Sequence, residues 1–113
     1  MNNVLSYFPG MRTTIFLETP NSDGYRVDGY TPPMIERIFL PNFNEADGYF
    51  PQPMTKLDTG LFYFQYVLPI GAAAIGSYLI DVTYLSPATN NLTTEIFQLV
   101  VTAPFGVYSA TTV

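Results

Sequence analysis

The residues that most often do chemistry in proteins are missing from this chain, which has no histidine and no cysteine. Without imidazole, the side chain best suited to proton transfer near neutral pH is absent, together with the commonest metal ligand and every Ser-His or Cys-His nucleophile. Without thiolates there is neither a disulfide nor a zinc-thiolate site, so the fold is compatible with reducing conditions. What remains is oxygen. Paired carboxylates could cleave glycosidic bonds, but the nine acidic residues fall mainly in short turn-rich segments, and a chain of this size has little depth for a substrate cleft. No catalytic residue is assigned, and the chain is read as not an enzyme.

Calcium is the one ion that such oxygens invite. Asp23, Asp28, Glu45 and Asp47 lie near asparagines in predicted turns, and Asn42-Phe43-Asn44-Glu45-Ala46-Asp47-Gly48 approximates a calcium loop. Its third oxygen ligand comes one position late, and Pro53 stands where a bidentate acid is required. These residues are read instead as Asx turns, with no metal and no cofactor expected. Asn91-Leu92-Thr93 matches a glycosylation acceptor and is read as part of a polar turn. The net charge of −5 repels phosphate backbones, so nucleic acid is not an expected partner.

Aromatic and aliphatic side chains are the remaining candidates for function. Tyr25, Tyr30, Tyr49 and Phe50 sit in predicted loops, where rigid rings can stack on sugars or fill a protein interface. Packing under their own loops is the other reading, and among contacts a protein surface is preferred to a glycan because tryptophan is absent. Leu5, Tyr7 and Phe8 near the start, and Phe105, Val107 and Tyr108 near the end, lie in almost uncharged segments that read either as frayed termini or as arms packing on an adjacent molecule. Apolar residues make up 48% of the chain and charged ones only 12%, which leaves few side chains to hydrate an isolated surface and points to coverage by neighbours.

The elements that must position these groups are strands. Turn signals recur at short intervals, and between them apolar residues alternate with period two. Strands are predicted over residues 12–19, 34–40, 54–57, 61–68, 78–84 and 92–102, with the last two joined as a hairpin. Tyr78, Ile80, Val82 and Tyr84 should face the core, and Phe97, Leu99 and Val101 share one face opposite Gln98 and Val100. Residues 61–68 are apolar on both faces apart from Gln65, as in a central strand covered twice or one lining an intersubunit contact. Residues 59–80 carry no charge, a length at which a membrane span must be considered. Pro69, Gly71 and Gly76 interrupt them, so two strands and a loop are expected, with no membrane partner. The domain is predicted over residues 11–103, between an N-terminal arm, 1–10, and a C-terminal arm, 104–113. The start, Met1-Asn2-Asn3-Val4-Leu5-Ser6-Tyr7, lacks the basic and apolar regions of a secretory signal, so assembly in the cytoplasm is expected.

Two short motifs carry a resemblance to a known fold. Asp58-Thr59-Gly60-Leu61-Phe62 resembles the Asp-x-Gly-x-Tyr tyrosine-corner motif of immunoglobulin-like folds, with Phe62 in the place of the tyrosine and Phe64 where an antibody-type cysteine would follow. Gly76-Ser77-Tyr78 is similar to the Gly-x-Tyr strand start of bacterial and viral sandwich domains. The resemblance implies an all-β, immunoglobulin-like β-sandwich of six to seven mainly antiparallel strands with extended N- and C-terminal arms. The lack of a core tryptophan and of cysteine speaks against an antibody-type domain.

The whole pattern, a starting methionine, one nearly uncharged sandwich, two apolar arms and no thiols, resembles small structural proteins of tailed-phage virions, especially capsid decoration or cement proteins. That resemblance implies a non-catalytic virion protein, assembled in the host cytoplasm, whose partners are virion proteins, chiefly the major capsid protein and copies of itself. Adaptor and tail-fibre-associated roles fit the same pattern. The alternative is an immunoglobulin-like adhesion or carbohydrate-binding module whose loop tyrosines touch the ligand, and a third reading is a calcium-stabilised module.

Overall fold

Period-two alternation turns into strand wherever the sequence carries it. The computed structural model describes residues 3–29, 31–46, 48 and 50–102, with side chains from Tyr7 onward. Eight strands follow in chain order: β1 Asn3–Tyr7, β2 Arg12–Glu18, β3 Met34–Phe39, β4 Gln52–Pro53, β5 Thr55–Asp58, β6 Leu61–Val67, β7 Gly76–Leu85 and β8 Leu92–Val101. A short 3-10 turn, Ala72–Ala74, is the one helical element among the described residues. All six predicted strands form, and β1 and the two-residue β4 are added to them.

The strands make two sheets, one ordered β1-β8-β7-β3-β4 and the other β2-β6-β5. Apart from β1, which lies parallel to β8, every pairing is antiparallel. The three-stranded sheet corresponds to strands B, E and D of an immunoglobulin-like sandwich, and β4, β3, β7 and β8 correspond to C′, C, F and G. The first strand departs from the constant-type order, because it lies beside the last strand and not beside β2.

That departure corrects the expected N-terminal arm. Asn3–Tyr7 is an edge strand in register with Phe97 to Val101, and the Thr102 N–H donates to the Tyr7 carbonyl at 2.9 Å. Backbone satisfaction is the physical reason: β7 pairs with one side of β8, and a charge-free neighbouring segment supplies partners for the other. Residues 104–113 lie outside the described residues.

The core is built as alternation predicts. Tyr78, Ile80 and Val82 from β7 and Phe97, Leu99 and Val101 from β8 pack against Ile15, Leu17 and Phe62 of the facing sheet. In β3 a β-bulge between Ile35 and Arg37 brings both Ile35 and Ile38 inward, although strict alternation would set them on opposite faces. The core face of β6 carries Phe62, Phe64 and Tyr66, while Gln65 and Val67 on its other face are exposed. β6 is thus central in its sheet, and among the described residues its outer face is only partly covered.

The two resemblance motifs exchange roles. Asp58-Thr59-Gly60 forms the tight turn between β5 and β6, inside one sheet, with Gly60 at φ +64°. A β-carbon on Gly60 would stand 2.6 Å from the Val27 nitrogen, so glycine is required by both conformation and space. The corner itself is made by Tyr78, where the chain crosses from β6 to β7. Its ring is fully buried and its hydroxyl donates to the Ala74 carbonyl at 2.8 Å. A hydroxyl bonded to backbone a few residues upstream, at the start of the sixth immunoglobulin strand, is the tyrosine-corner geometry.

Candidate functional site

Strand direction sorts the connections into two ends of the sandwich, and the two ends differ in chemistry. Residues 19–29 and 31–33, the Thr59-Gly60 turn and residues 86–91 gather at one end. Residues 8–11, 40–44 and 68–75 gather at the other, together with Thr102 at the close of β8.

The first end is polar and internally clamped. Asp28 accepts from Lys56 Nζ at 2.6 Å with one oxygen and from the Gly60 N–H at 2.9 Å with the other. The lysine bond, followed by the Gly60 amide, holds the Asp28 carboxyl below its usual range. Thr19 completes the clamp, with its N–H donating to the Gly60 carbonyl and its hydroxyl to the Val27 carbonyl. Asn21 Oδ1 accepts from the Asp23 and Tyr25 amides, an Asx turn that leaves Tyr25 outermost. An exposed ion pair, Arg26 with Asp58 at 3.5 Å, lies alongside. A shallow cleft of about 450 Å³ lined by Asp28, Gly29, Leu85, Ser86, Pro87 and Asn90 opens here. The carboxylate in it is already engaged, so its role is to fasten the β5–β6 turn beneath the β2–β3 connection.

The second end is apolar. Residues 8–11, 40–44, 67–77 and 102 include no Asp, Glu, Lys or Arg, and the exposed Arg12, paired with Val67 at the start of β2, borders them. The β1–β2 turn is bonded to the β6–β7 connection through Gly10 N–H to the Pro69 carbonyl and Leu68 N–H to the Met11 carbonyl, both at 2.9 Å. The β3–β4 turn closes against the same connection, with Leu40 and Pro41 facing Pro69, Ile70 and Ala74 across a gap of about 180 Å³. A wider groove of about 470 Å³ continues onto the outer sheet face between Phe39, Pro41, Phe43, Ile75, Leu79 and Gln98. Five large apolar side chains project from this end: Phe8, Met11, Phe43, Val67 and Ile70, the last two loop residues Phe43 and Ile70 being 81% and 83% exposed.

The residues proposed from sequence divide accordingly. Phe8 belongs to the apolar end and Tyr25 stands exposed at the polar one. Tyr7 and Phe50 are half-buried and pack against their own core, Phe50 edge-on to Phe64 with ring centroids 6.5 Å apart. Tyr7 is held there by the pairing of β1 with β8. Leu5 lies in β1 opposite Leu99. Tyr30, Tyr49, Phe105, Val107 and Tyr108 fall outside the described residues or side chains.

Sequence reasoning missed Met11, Phe43, Val67 and Ile70. A signal for two of them was present: Asn42-Phe43-Asn44 and Pro69-Ile70-Gly71 each bracket one large apolar residue with turn formers. Phe43 holds φ +67° at the tip of its turn, where the Asn42 side chain accepts the Asn44 N–H at 3.0 Å. That bond is an Asx turn within the stretch that approximated a calcium loop, and among the described residues no cluster of three or more acidic side chains could hold an ion. Likewise, no helix among the described residues is long and apolar enough to cross a membrane. Burial raises the phenol pKa of Tyr66, Tyr78 and Tyr84, so these rings act as neutral packing groups.

No protein-family model matches the chain, and no curated protein matches it.

Proposed function

We propose that the chain is a non-catalytic structural protein that works by protein–protein contact through the apolar end of its sandwich, and that its setting is a tailed-phage virion, as a capsid decoration or cement protein. The observation that supports this reading is the charge-poor end carrying Phe8, Met11, Phe43, Val67 and Ile70, with Arg12 as a charge at its border. Contiguous exposed apolar surface marks interaction sites in soluble proteins. Full burial of one such side chain is worth about 1.5–3 kcal/mol, and three or four of them form the core of a standard interface. The polar end, clamped by its own hydrogen bonds, would face away from the shell.

The test is co-sedimentation of the full chain with assembled capsids of the phage that carries the gene, compared with Ile70→Lys and Phe43→Lys. Neither residue is in the core, so both variants should keep the native melting temperature within a degree or two. Each should lose binding by about tenfold or more, since 1.4 kcal/mol is a factor of ten. Unchanged capsid binding by both variants would refute contact through this end. Binding to glycans that Tyr25→Ala abolishes would favour the adhesion module instead.

A further inference from the structure

Three Asp-Gly pairs occur in the chain: Asp23-Gly24, Asp28-Gly29 and Asp47-Gly48. An aspartyl carboxyl followed by glycine can close on the next main-chain nitrogen, because glycine has no side chain to block the approach and tolerates the backbone angles of the ring. Sequence ranks the three alike. The structure separates the first two, and Asp47 lies outside the described residues.

Asp28 is held on both oxygens, by Lys56 Nζ at 2.6 Å and by the Gly60 N–H at 2.9 Å. Those bonds also keep it ionised to lower pH than usual, and an ionised carboxylate is a poor electrophile. Turning that side chain onto Gly29 requires both bonds to break. Asp23 has no such restraint. It is exposed, and among the described residues its carboxylate accepts no hydrogen bond and joins no ion pair. A β-carbon placed on Gly24 would meet nothing within 4 Å, so a ring and an attacking water both have room. The Gly24 N–H donates to the Asn21 carbonyl at 3.0 Å, a single turn bond at an exposed loop tip, and such bonds open at little cost. Beneath the tip the loop is closed: Pro20 bridges Arg26, and the Val27 N–H donates to the Thr19 carbonyl at 3.1 Å. A change of backbone length at Asp23 is therefore confined to the tip, whose outermost ring is Tyr25.

We propose that Asp23 is a site of spontaneous covalent modification, converted through a cyclic imide to isoaspartate, and that Asp28 is spared by its clamp. In the first step the Gly24 nitrogen bonds to the Asp23 Cγ, and the carboxyl hydroxyl leaves with the nitrogen's proton as water. In the second, water adds to one ring carbonyl and that carbonyl's bond to nitrogen breaks. Opening at Cγ restores aspartate. Opening at the Asp23 main-chain carbonyl leaves the chain running through the side-chain carboxyl, one methylene longer. Mass and charge return to their starting values, and water is the only co-reactant. The longer backbone shifts Tyr25 without touching the apolar end, so the inference is independent of what that end binds.

The test is incubation of the full chain in neutral heavy-oxygen water below its melting temperature, followed by tryptic mapping, in which cleavage at Arg26 puts Asp23 and Asp28 in separate peptides. Each opening of an imide leaves one heavy oxygen at the affected residue, and electron-based fragmentation distinguishes isoaspartate from aspartate. In the folded chain Asp23 should take up label about tenfold or more faster than Asp28. In the chain unfolded by urea the two should label alike. Lys56→Met should raise labelling at Asp28 and leave Asp23 unchanged, whereas Asp23→Glu should remove labelling from that position with no change in melting temperature. Equal rates at Asp23 and Asp28 in the folded chain overturn the proposal, as does an unlabelled Asp23 after a time at which the unfolded chain is labelled.

Discussion

Replacing Tyr78 with phenylalanine removes a single oxygen from a ring that has 0% exposure. The ring's packing, including its tilted contact with Tyr66 at 6.4 Å between centroids, is untouched. What is lost is the 2.8 Å hydrogen bond to the Ala74 carbonyl. An intramolecular hydrogen bond contributes about 0.5–1.5 kcal/mol net, and stranding its buried partner raises the loss to about 1–3 kcal/mol. Ala74 is itself 2% exposed, which limits access of replacement water, so a loss of about 2 kcal/mol is expected. For a domain of this size that is roughly 6–12 °C in melting temperature. In urea it should appear as a midpoint lowered by about 1 M with an unchanged slope. The companion substitution, Phe62→Tyr, makes the assignment decisive. Were Asp58 to Phe62 the true corner, a hydroxyl at position 62 would stabilise. Since Phe62 is 5% exposed within a hairpin that stays in one sheet, the buried hydroxyl should instead cost about 1–3 kcal/mol. A loss below about 0.5 kcal/mol for Tyr78→Phe, or a gain for Phe62→Tyr, would refute the reasoning.

Further expectations follow from the same geometry. Gly60→Ala combines a positive φ with contacts of 2.6 and 2.8 Å to the backbone at Val27 and Arg26, and should destabilise by about 2–4 kcal/mol in urea titration. Leu99→Ala empties a fully buried site between the sheets and should cost about 2–5 kcal/mol by the same assay. Asp28 has a folded-state pKa below its ordinary value of 3.8. Its contribution is therefore present above that value and lost as pH falls through the folded one. Acid titration of stability should show a steeper decline below about pH 4 for the native chain than for Asp28→Asn, and parallel curves would contradict the Lys56 and Gly60 bonds. Burial raises the phenols of Tyr66 and Tyr84, which has the opposite sense. Stability from them is complete below the unfolded value near 10 and is lost as pH rises through the folded ones, so Tyr84→Phe should blunt alkaline unfolding.

Much of the architecture was legible because it is written locally. β7 and β8 were readable to within a residue or two, since Tyr78, Ile80, Val82, Phe97, Leu99 and Val101 obey the pleat's period without interruption. β3 was readable as a strand but not in its facing, because the bulge at Glu36 inverts alternation and no local rule announces it. The site was less legible. Phe8 is legible from chemical type, whereas Ile70 and Phe43 sit singly among turn formers, where local sequence does not say whether a lone apolar residue tucks under its loop or projects from it. Tyr7 and Phe50 illustrate the converse: both have the right chemistry for a contact, yet Tyr7 is held against the core by backbone pairing with Val101, and Phe50 packs edge-on to Phe64.

Composition alone removed imidazole and thiolate chemistry, and alternation with turn residues alone set nearly every strand, because side-chain period and backbone sterics act over a few neighbouring residues. Tertiary structure decided the rest. It placed Asn3–Tyr7 beside β8, chose Tyr78 over Phe62 as the corner, and gathered Phe8, Met11, Phe43, Val67 and Ile70 at one charge-poor end. Each of those outcomes depends on which distant segments compete for the same backbone hydrogen bonds and the same buried volume, a competition resolved only when both sheets have closed on one core.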